Sequence, residues 1–209
     1  MVEVIPTILV KTYEEFESLV RKVEPFVERV SLDISDGTIV PTLTIKGYTE
    51  IQQINTPLKF DIHLMVENPE VYIHEWLKTK VERIFFHSEA RCDFFRIIDE
   101  IRASGKKIGI AVNPETDMST VIEYIDQIDY VQFMAVHPGY YGGTFLEDVI
   151  GKISGFHQEF PEVPIVVDGG VTPEIARRLI PVGATILNVG SYIFNSENIE
   201  EAIKQLKNI

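Results

Sequence analysis

The chain has 209 residues, of which 45% are hydrophobic and 24% charged, and it carries a net charge of −13 with a single cysteine, Cys92. That length suffices for a sizeable core, the acidic balance argues against nucleic acid or anionic lipid as a partner, and one cysteine excludes an intramolecular disulfide. No apolar run reaches the roughly 20 residues of a membrane span, and the opening MVEVIPTILVKTYEEF lacks a basic n-region, so a soluble protein of the cytoplasm without a signal peptide is expected.

From the N-terminus onward, short β-like runs alternate with amphipathic stretches. VIPTILV leads to Thr12 and Glu15, a capping box ahead of Phe16, Leu19, Val20 and Val23 at helical spacing. RVSLDI is followed by a short helix near Tyr48 to Ile54, the weakest link in the series. LKFDIHLMV runs into Asn68-Pro69, a cap before a first-turn proline, and RIFFHSE into a helix from Phe94 to Ser104 that Gly105 ends. KIGIAV precedes Asn113-Pro114, read as the start of a fifth helix; YVQFMAV precedes the segment HPGYYGGTF; PIVVDGG precedes Thr172-Pro173. TILNVG leads to a last helix with Ile199, Ala202, Ile203 and Leu206 on one face. Eight strands alternating with eight helices predict an α/β protein: a (β/α)8 (TIM) barrel with a closed parallel sheet, one domain over residues 1–209. An open doubly wound sheet is the competitor, and periodicity does not separate the two.

Side chains alternate between the faces of a strand. Val30, Leu32 and Ile34 share one parity against Ser31, Asp33 and Ser35; Phe60, Ile62 and Leu64 share one against Asp61, His63 and Met65. In a barrel the apolar set faces the helices, so Asp33, His63 and Asp168 converge inside, near the C-terminal mouth where barrel sites lie. Burying two carboxylates and an imidazole is costly unless they are paired or bind a cation, and two Asp with one His make a plausible divalent-metal set. Asp61, deep in its strand, reads as structural, and Asp36, before Gly37, reads at least as well as a turn cap. Gly169-Gly170 after the seventh strand and Gly190-Ser191 after the eighth place backbone N–H groups where barrels commonly hold phosphate.

The stretches LDISDGTIVPTLTI, FDIHLMVENPE, FFHSEA, GIAVNPET, VQFMAVHPGYYGGTF, VVDGGVTPE and GATILNVGSYIF follow one another along nearly the whole chain. In that order they resemble the ribulose-phosphate 3-epimerase family, a phosphate-binding barrel. The resemblance implies interconversion of D-ribulose 5-phosphate and D-xylulose 5-phosphate by proton movement at C3. It implies Asp33 and Asp168 as the catalytic acid/base pair, and Asp33, His63 and Asp168 as ligands to a divalent ion (Zn, Fe or Mn). It also implies a substrate- and phosphate-binding set of Thr7, His63, Met65, Met134, Gly139, Gly142, Gly143, Gly169, Gly170, Gly190 and Ser191. It implies a small-molecule sugar phosphate and a homo-oligomer as partners, while the charge and hydropathy above lead to the expectation of no nucleic acid and no membrane.

Several positions depart from the family pattern. Ser31 stands where the family has its other metal-binding His, Ser35 where a methionine is usual, and Thr7 where a Ser contacts substrate. His137 stands where Asn is usual, and Tyr141 where the sixth loop has glycine. A neutral hydroxyl is a poor substitute for imidazole as a ligand to zinc or iron. Two alternatives therefore stay open: an epimerase of a different ketose phosphate, and a non-catalytic relative that binds a sugar phosphate. Decarboxylase or aldol chemistry ranks last, because related barrels carry a DxKxxD signature and LDISDG has no lysine. His87 and Glu89 match a family run and are read as supporting hydrogen bonds at the barrel mouth; His74 and His157 carry no signal.

Overall fold

A computed structural model describes residues 2–137 and 142–209. Its strands are β1 (Glu3–Ile8), β2 (Arg29–Ser35), β3 (Lys59–Met65), β4 (Arg83–His87), β5 (Lys107–Val112), β6 (Tyr130–Met134), β7 (Ile165–Asp168) and β8 (Ala184–Val189). They pair in chain order, all parallel, and β1 returns to β8 with Val4 opposite Leu187. That last pairing decides against the open sheet, which would leave β1 and β8 unpaired on one side.

The connecting helices are α1 (Tyr13–Val23), α2 (Tyr48–Gln53), α3 (Glu70–Leu77), α4 (Phe94–Ala103), α5 (Ser119–Ile122), α6 (Asp148–Glu159), α7 (Pro173–Leu179), α8 (Ser191–Phe194) and α9 (Ile199–Lys207). Several begin and end as their sequences predict. Thr12 accepts from the Glu15 N–H at 3.2 Å, while the Glu15 carboxylate turns back to the Lys11 N–H at 3.0 Å, a capping box displaced by one donor. Thr172 accepts from the Ile175 N–H ahead of Pro173, and Gly105 follows α4 with φ +79°. The fifth crossover departs from expectation. Asn113-Pro114 heads a turn closed by the Thr116 N–H on the Asn113 carbonyl, and α5 starts only at Ser119.

The barrel's outer wall and its interior have different chemistry. Val30, Leu32, Phe60, Ile62 and Leu64 are fully buried against the helix layer, together with Phe16, Val20 and Val23 of α1. Each such side chain contributes roughly 1.5–3 kcal/mol by leaving water. Inside, the side chains form layers. At the N-terminal end Arg29 reaches Asp61 at 2.5 Å and Glu82 at 2.7 Å, and Arg83 reaches Glu3 at 3.0 Å and Asp61 at 3.5 Å. Asp61 is therefore part of an ionic floor. Above it Ile5, Phe85, Val166 and Ile186 form a separate apolar layer with Tyr130 packed on it. Gly109 on β5 makes room for that layer, since a Cβ there would lie 2.1 Å from Phe85 Cδ1. The polar residues of the top layer rest on this plug.

Candidate active site

Asp33 and His63 are register partners on β2 and β3, and Asp168 is the last residue of β7. All three are buried, and one potential ligand atom of each lies within 4.8 Å of the others. His63 Nδ1 is 3.2 Å from Asp33 Oδ1 and 3.6 Å from Asp168 Oδ2. Gln132 on β6 and Asn188 on β8 complete the layer. The Gln132 amide N–H groups lie 3.2 Å from both Asp168 Oδ2 and His63 Nδ1, and the Asn188 amide donates to Gln132 Oε1 at 3.4 Å. Sequence reasoning passed over Gln132 and Asn188. The signal was present, because each is a polar residue at an inward position near the end of its strand.

Burial dominates the electrostatics. It raises the Asp33 carboxyl to about 8, and burial together with the neighbouring Asp33 raises Asp168 to about 7. Burial lowers both His63 and His87 from the usual imidazole value, against the opposing pull of nearby carboxylates. Two carboxyls poised near neutral pH titrate as a pair and can each hold or release a proton there.

Behind His63 lies a second imidazole. His63 Nε2 is 2.9 Å from Nε2 of His87, the rings are inclined by 19°, and both residues are fully buried. His87 Nδ1 is 3.0 Å from Glu89 Oε2, and Glu89 Oε1 accepts from the Asn113 N–H at 3.0 Å. Burial disfavours the Glu89 carboxylate, but hydrogen bonds from His87, Thr116 and the Asn113 backbone outweigh it and bring Glu89 down to about 2.

Above these residues a cleft opens at the barrel mouth. Thr7, Asp33, Met65, Met134, Gly142, Gly143, Asp168, Gly169, Gly170, Gly190 and Ser191 line it, joined by Leu9, Val136 and Val171, which the sequence did not single out. His63 is not on the wall; it lies beneath, against the two carboxyls. Gly139 and Tyr141 lie outside the described residues. Gly169 and Gly170 hold φ values of +107° and +66°, and a Cβ on Gly169 would meet Val136 Cγ2 at 2.5 Å. A side chain fits neither the backbone nor the space, so this part of the wall is bare main chain. Gly190 immediately precedes α8.

The remaining candidates fall elsewhere. His137 is a loop histidine, 71% exposed and 3.1 Å from Glu115. Asp36 caps its own turn, accepting from the Thr38 N–H at 3.0 Å and from the Tyr72 hydroxyl at 3.1 Å. Ser35 donates to the Thr42 carbonyl at 2.6 Å and so pins the loop after β2. Ser31 is buried, and its Oγ has no hydrogen-bond partner among the described residues.

The donor set fits a divalent cation: two carboxylate oxygens and an imidazole nitrogen within one ion's reach, with both carboxyls pushed up by burial. Ser31, one inward position before Asp33, adds only a neutral oxygen to that part of the interior.

Residues 3–194 match the model of the ribulose-phosphate 3 epimerase family. The chloroplastic ribulose-5-phosphate-3-epimerase of Arabidopsis thaliana is 33% identical over 97% of this chain and 75% of its own length. The ribulose-phosphate 3-epimerase of Bacillus subtilis (strain 168) is 31% identical over 99% of both chains. Among solved structures, a 3-hexulose-6-phosphate synthase superposes with a TM-score of 0.73 at 15% identity, covering 99% of this chain and 98% of its own. Orotidine 5'-phosphate decarboxylase from Pyrococcus horikoshii OT3 does so with a TM-score of 0.71 at 13% identity, covering 99% and 100%. At such identities the two structures speak to the barrel fold alone. The family match over most of the length and the two epimerase relatives speak to descent: the chain belongs to the ribulose-phosphate 3-epimerase family.

Proposed function

We propose that the protein interconverts D-ribulose 5-phosphate and D-xylulose 5-phosphate by moving the proton at C3. The observation that carries this reading is the pair of buried carboxyls, Asp33 and Asp168, raised toward neutrality at the floor of a cleft whose rim is bare glycine backbone. The phosphate is held by main-chain N–H groups of Gly169, Gly170, Gly190 and Ser191, a mode that needs no basic side chain and suits a chain of net charge −13. Met65 and Met134 bound the sugar with apolar surface that adapts to its shape.

One ionised carboxylate takes the C3 proton, and the C3–H electron pair moves into the C2–C3 bond while the C2 carbonyl oxygen gains negative charge. The other carboxyl, protonated, returns a proton to C3 from the opposite side, and the pair is left with its roles exchanged for the reverse reaction. Asp33 on β2 and Asp168 on β7 approach from different walls of the barrel, as delivery to opposite faces requires. A divalent ion held by Asp33, His63 and Asp168 would supply electrophilic stabilisation of the oxyanion. Gln132 and Asn188 orient the Asp168 carboxyl through hydrogen bonds to Oδ2 at 3.2 and 3.5 Å.

The test is a coupled assay of xylulose 5-phosphate formation by the purified protein, with zinc, manganese or ferrous ion added in turn and chelator as control. Metal-dependent turnover that Asp33→Asn lowers by about 10²-fold or more supports the reading. Calorimetric binding of the sugar phosphate without turnover under any metal would replace it with a non-catalytic binding relative, and turnover of a different ketose phosphate would change the substrate but keep the mechanism.

A further inference from the structure

We propose that Lys152, on α6, is a positioning residue of the site: its ammonium group locks the turn after β5, and that turn sets Glu89, the outermost of the residues that support His63. The effect on turnover rests on the function proposed above; the coupling of Lys152 to Glu89 does not.

Asn113 to Thr116 form a turn outside helix and strand, since β5 ends at Val112 and α5 starts only at Ser119. The carbonyls of such a turn need donors from elsewhere. Lys152 supplies them: its Nζ donates to the carbonyls of Asn113 at 2.9 Å, Pro114 at 3.2 Å and Thr116 at 2.5 Å. An ammonium has three N–H donors, so this one is fully engaged. Lysine ordinarily keeps its charged end in water, yet Lys152 is half-buried and burial lowers it from the usual ammonium value. A charge drawn out of water onto three backbone oxygens marks an anchor rather than a solvated surface group.

The same turn faces Glu89 on its other side. The Asn113 N–H donates to Glu89 Oε1 at 3.0 Å, and the Thr116 side chain hydrogen-bonds to the same carboxylate. Asn113 and Thr116 thus each give a donor to Glu89 and a carbonyl to Lys152. The turn is held between an anion and a cation, each bound through charge-assisted hydrogen bonds. Of the acids that favour the Lys152 charge, Glu89 is foremost, ahead of Asp117 and Glu115. Glu89 Oε2 lies 3.0 Å from His87 Nδ1, and His87 Nε2 lies 2.9 Å from His63 Nε2. Both rings are fully buried, so a displaced Glu89 reaches His63 through two close contacts.

The turn's contact with the end of the sixth strand is weaker. His137 Nδ1 lies 3.1 Å from Glu115 Oε1, but both side chains are mostly exposed, and such pairs contribute little. Lys152 is therefore the main tether. The glycines proposed to hold the phosphate follow β7 and β8 and share no contact with this chain of residues, so losing Lys152 should disturb the chemical step and spare substrate binding.

The experiment compares the full-length wild-type protein with Lys152→Met, Glu89→Gln and the double variant. It measures kcat and KM for D-ribulose 5-phosphate with manganese, and hydrogen exchange of the Asn113 amide by NMR in the metal-free protein. Lys152→Met should lower kcat about tenfold, the lower end for groups that support a ligand from outside, with KM within about twofold. It should also speed Asn113 exchange about tenfold or more. The double variant should be no slower than Glu89→Gln alone, because the two residues act in series, whereas a general loss of stability would add. Unchanged Asn113 exchange or unchanged kcat in a folded Lys152→Met protein, a change in KM with kcat kept, or additive losses overturn the proposal. If Lys152→Met does not fold, the wild-type protein decides. Its Lys152 ammonium should exchange slowly and show coupling from ¹⁵Nζ to the carbonyl carbons of Asn113 and Thr116, and a fast-exchanging, uncoupled ammonium overturns the proposal. Faster Asn113 exchange in a protein whose wild type turns over no ketose phosphate would sink the epimerase reading and leave the coupling to Glu89 standing.

Discussion

Replacing Gly109 by alanine tests the layered interior on which the site rests. The new Cβ would lie 2.1 and 2.2 Å from Phe85 Cδ1 and Cε1. Carbon atoms in good contact stand about 3.5–4.0 Å apart, so ring or strand must give by about 1.5 Å. The ring has little freedom, because Phe85 is 2% exposed and shares its layer with Ile5, Val166 and Ile186. Overpacking of this kind destabilises by about 1–3 kcal/mol. Gly109 is not among the glycines with positive φ, so alanine meets no backbone strain and recovers a few tenths of a kcal/mol by restricting the unfolded chain. For a chain of this size each kcal/mol moves Tm by about 2–4 °C, so a fall of about 2–12 °C is expected in thermal unfolding followed by circular dichroism. Phe85→Leu in the same chain removes the obstructing ring atoms, and the double variant should be more stable than the sum of the single effects by about 1 kcal/mol. A Gly109→Ala protein with unchanged Tm, or a strictly additive pair, would refute the claim that this glycine exists to admit the Phe85 ring.

Other consequences concern the site and its supports. Gly170→Ala places a Cβ 3.0 Å from Phe145 Cβ at φ +66°, so the glycine wall proposed to hold the phosphate must shift; loss of one hydrogen bond to a charged group, about 1.5–3 kcal/mol, should raise KM more than tenfold with kcat little changed. A kcat collapse at constant KM would contradict that role. In chelator-treated protein Asp33 and Asp168 keep protons that the unfolded chain releases near pH ~4, since their folded values are raised to about 8 and about 7. Their contribution to stability is therefore complete at low pH and declines as pH rises through those values, and Asp33→Asn with Asp168→Asn flattens the profile. Mn²⁺ should stabilise more as pH rises, because its binding needs the ionised pair; a metal-free Tm with no Asp-dependent fall toward alkaline pH would contradict the assignment. Thr172→Ala removes the acceptor for the Ile175 N–H and should destabilise by about 1 kcal/mol in urea unfolding, whereas an unchanged midpoint would show that Pro173 alone starts α7.

Much of the fold was legible because strand and helix punctuation agree here. Thr12, Thr172 and Gly105 mark helix ends by local hydrogen bonds and backbone angles that depend on nothing distant. Closure of the sheet was not legible from periodicity, since it rests on the β1–β8 pairing between the two ends of the chain. Asp33, His63 and Asp168 stood out by inward parity, which is a property of each strand alone. Their grouping, and the Gln132–Asn188 and His87–Glu89 partners, depend on which strands lie across the barrel from one another. Asn113 shows the limit of local rules: its prolyl neighbour resembles a helix start, yet Asn113 forms a turn whose N–H is held by Glu89.

The central claim is that two carboxyls exchange a proton with C3 of a ketose phosphate. Its most direct test is turnover of D-ribulose 5-phosphate in D2O with manganese present, with deuterium at C3 followed by NMR. Solvent deuterium should enter C3 with epimerisation in the wild-type protein, and Asp33→Asn and Asp168→Asn should each abolish the interconversion. Epimerisation without deuterium entry, or interconversion that survives in either folded variant, would contradict the two-carboxyl account.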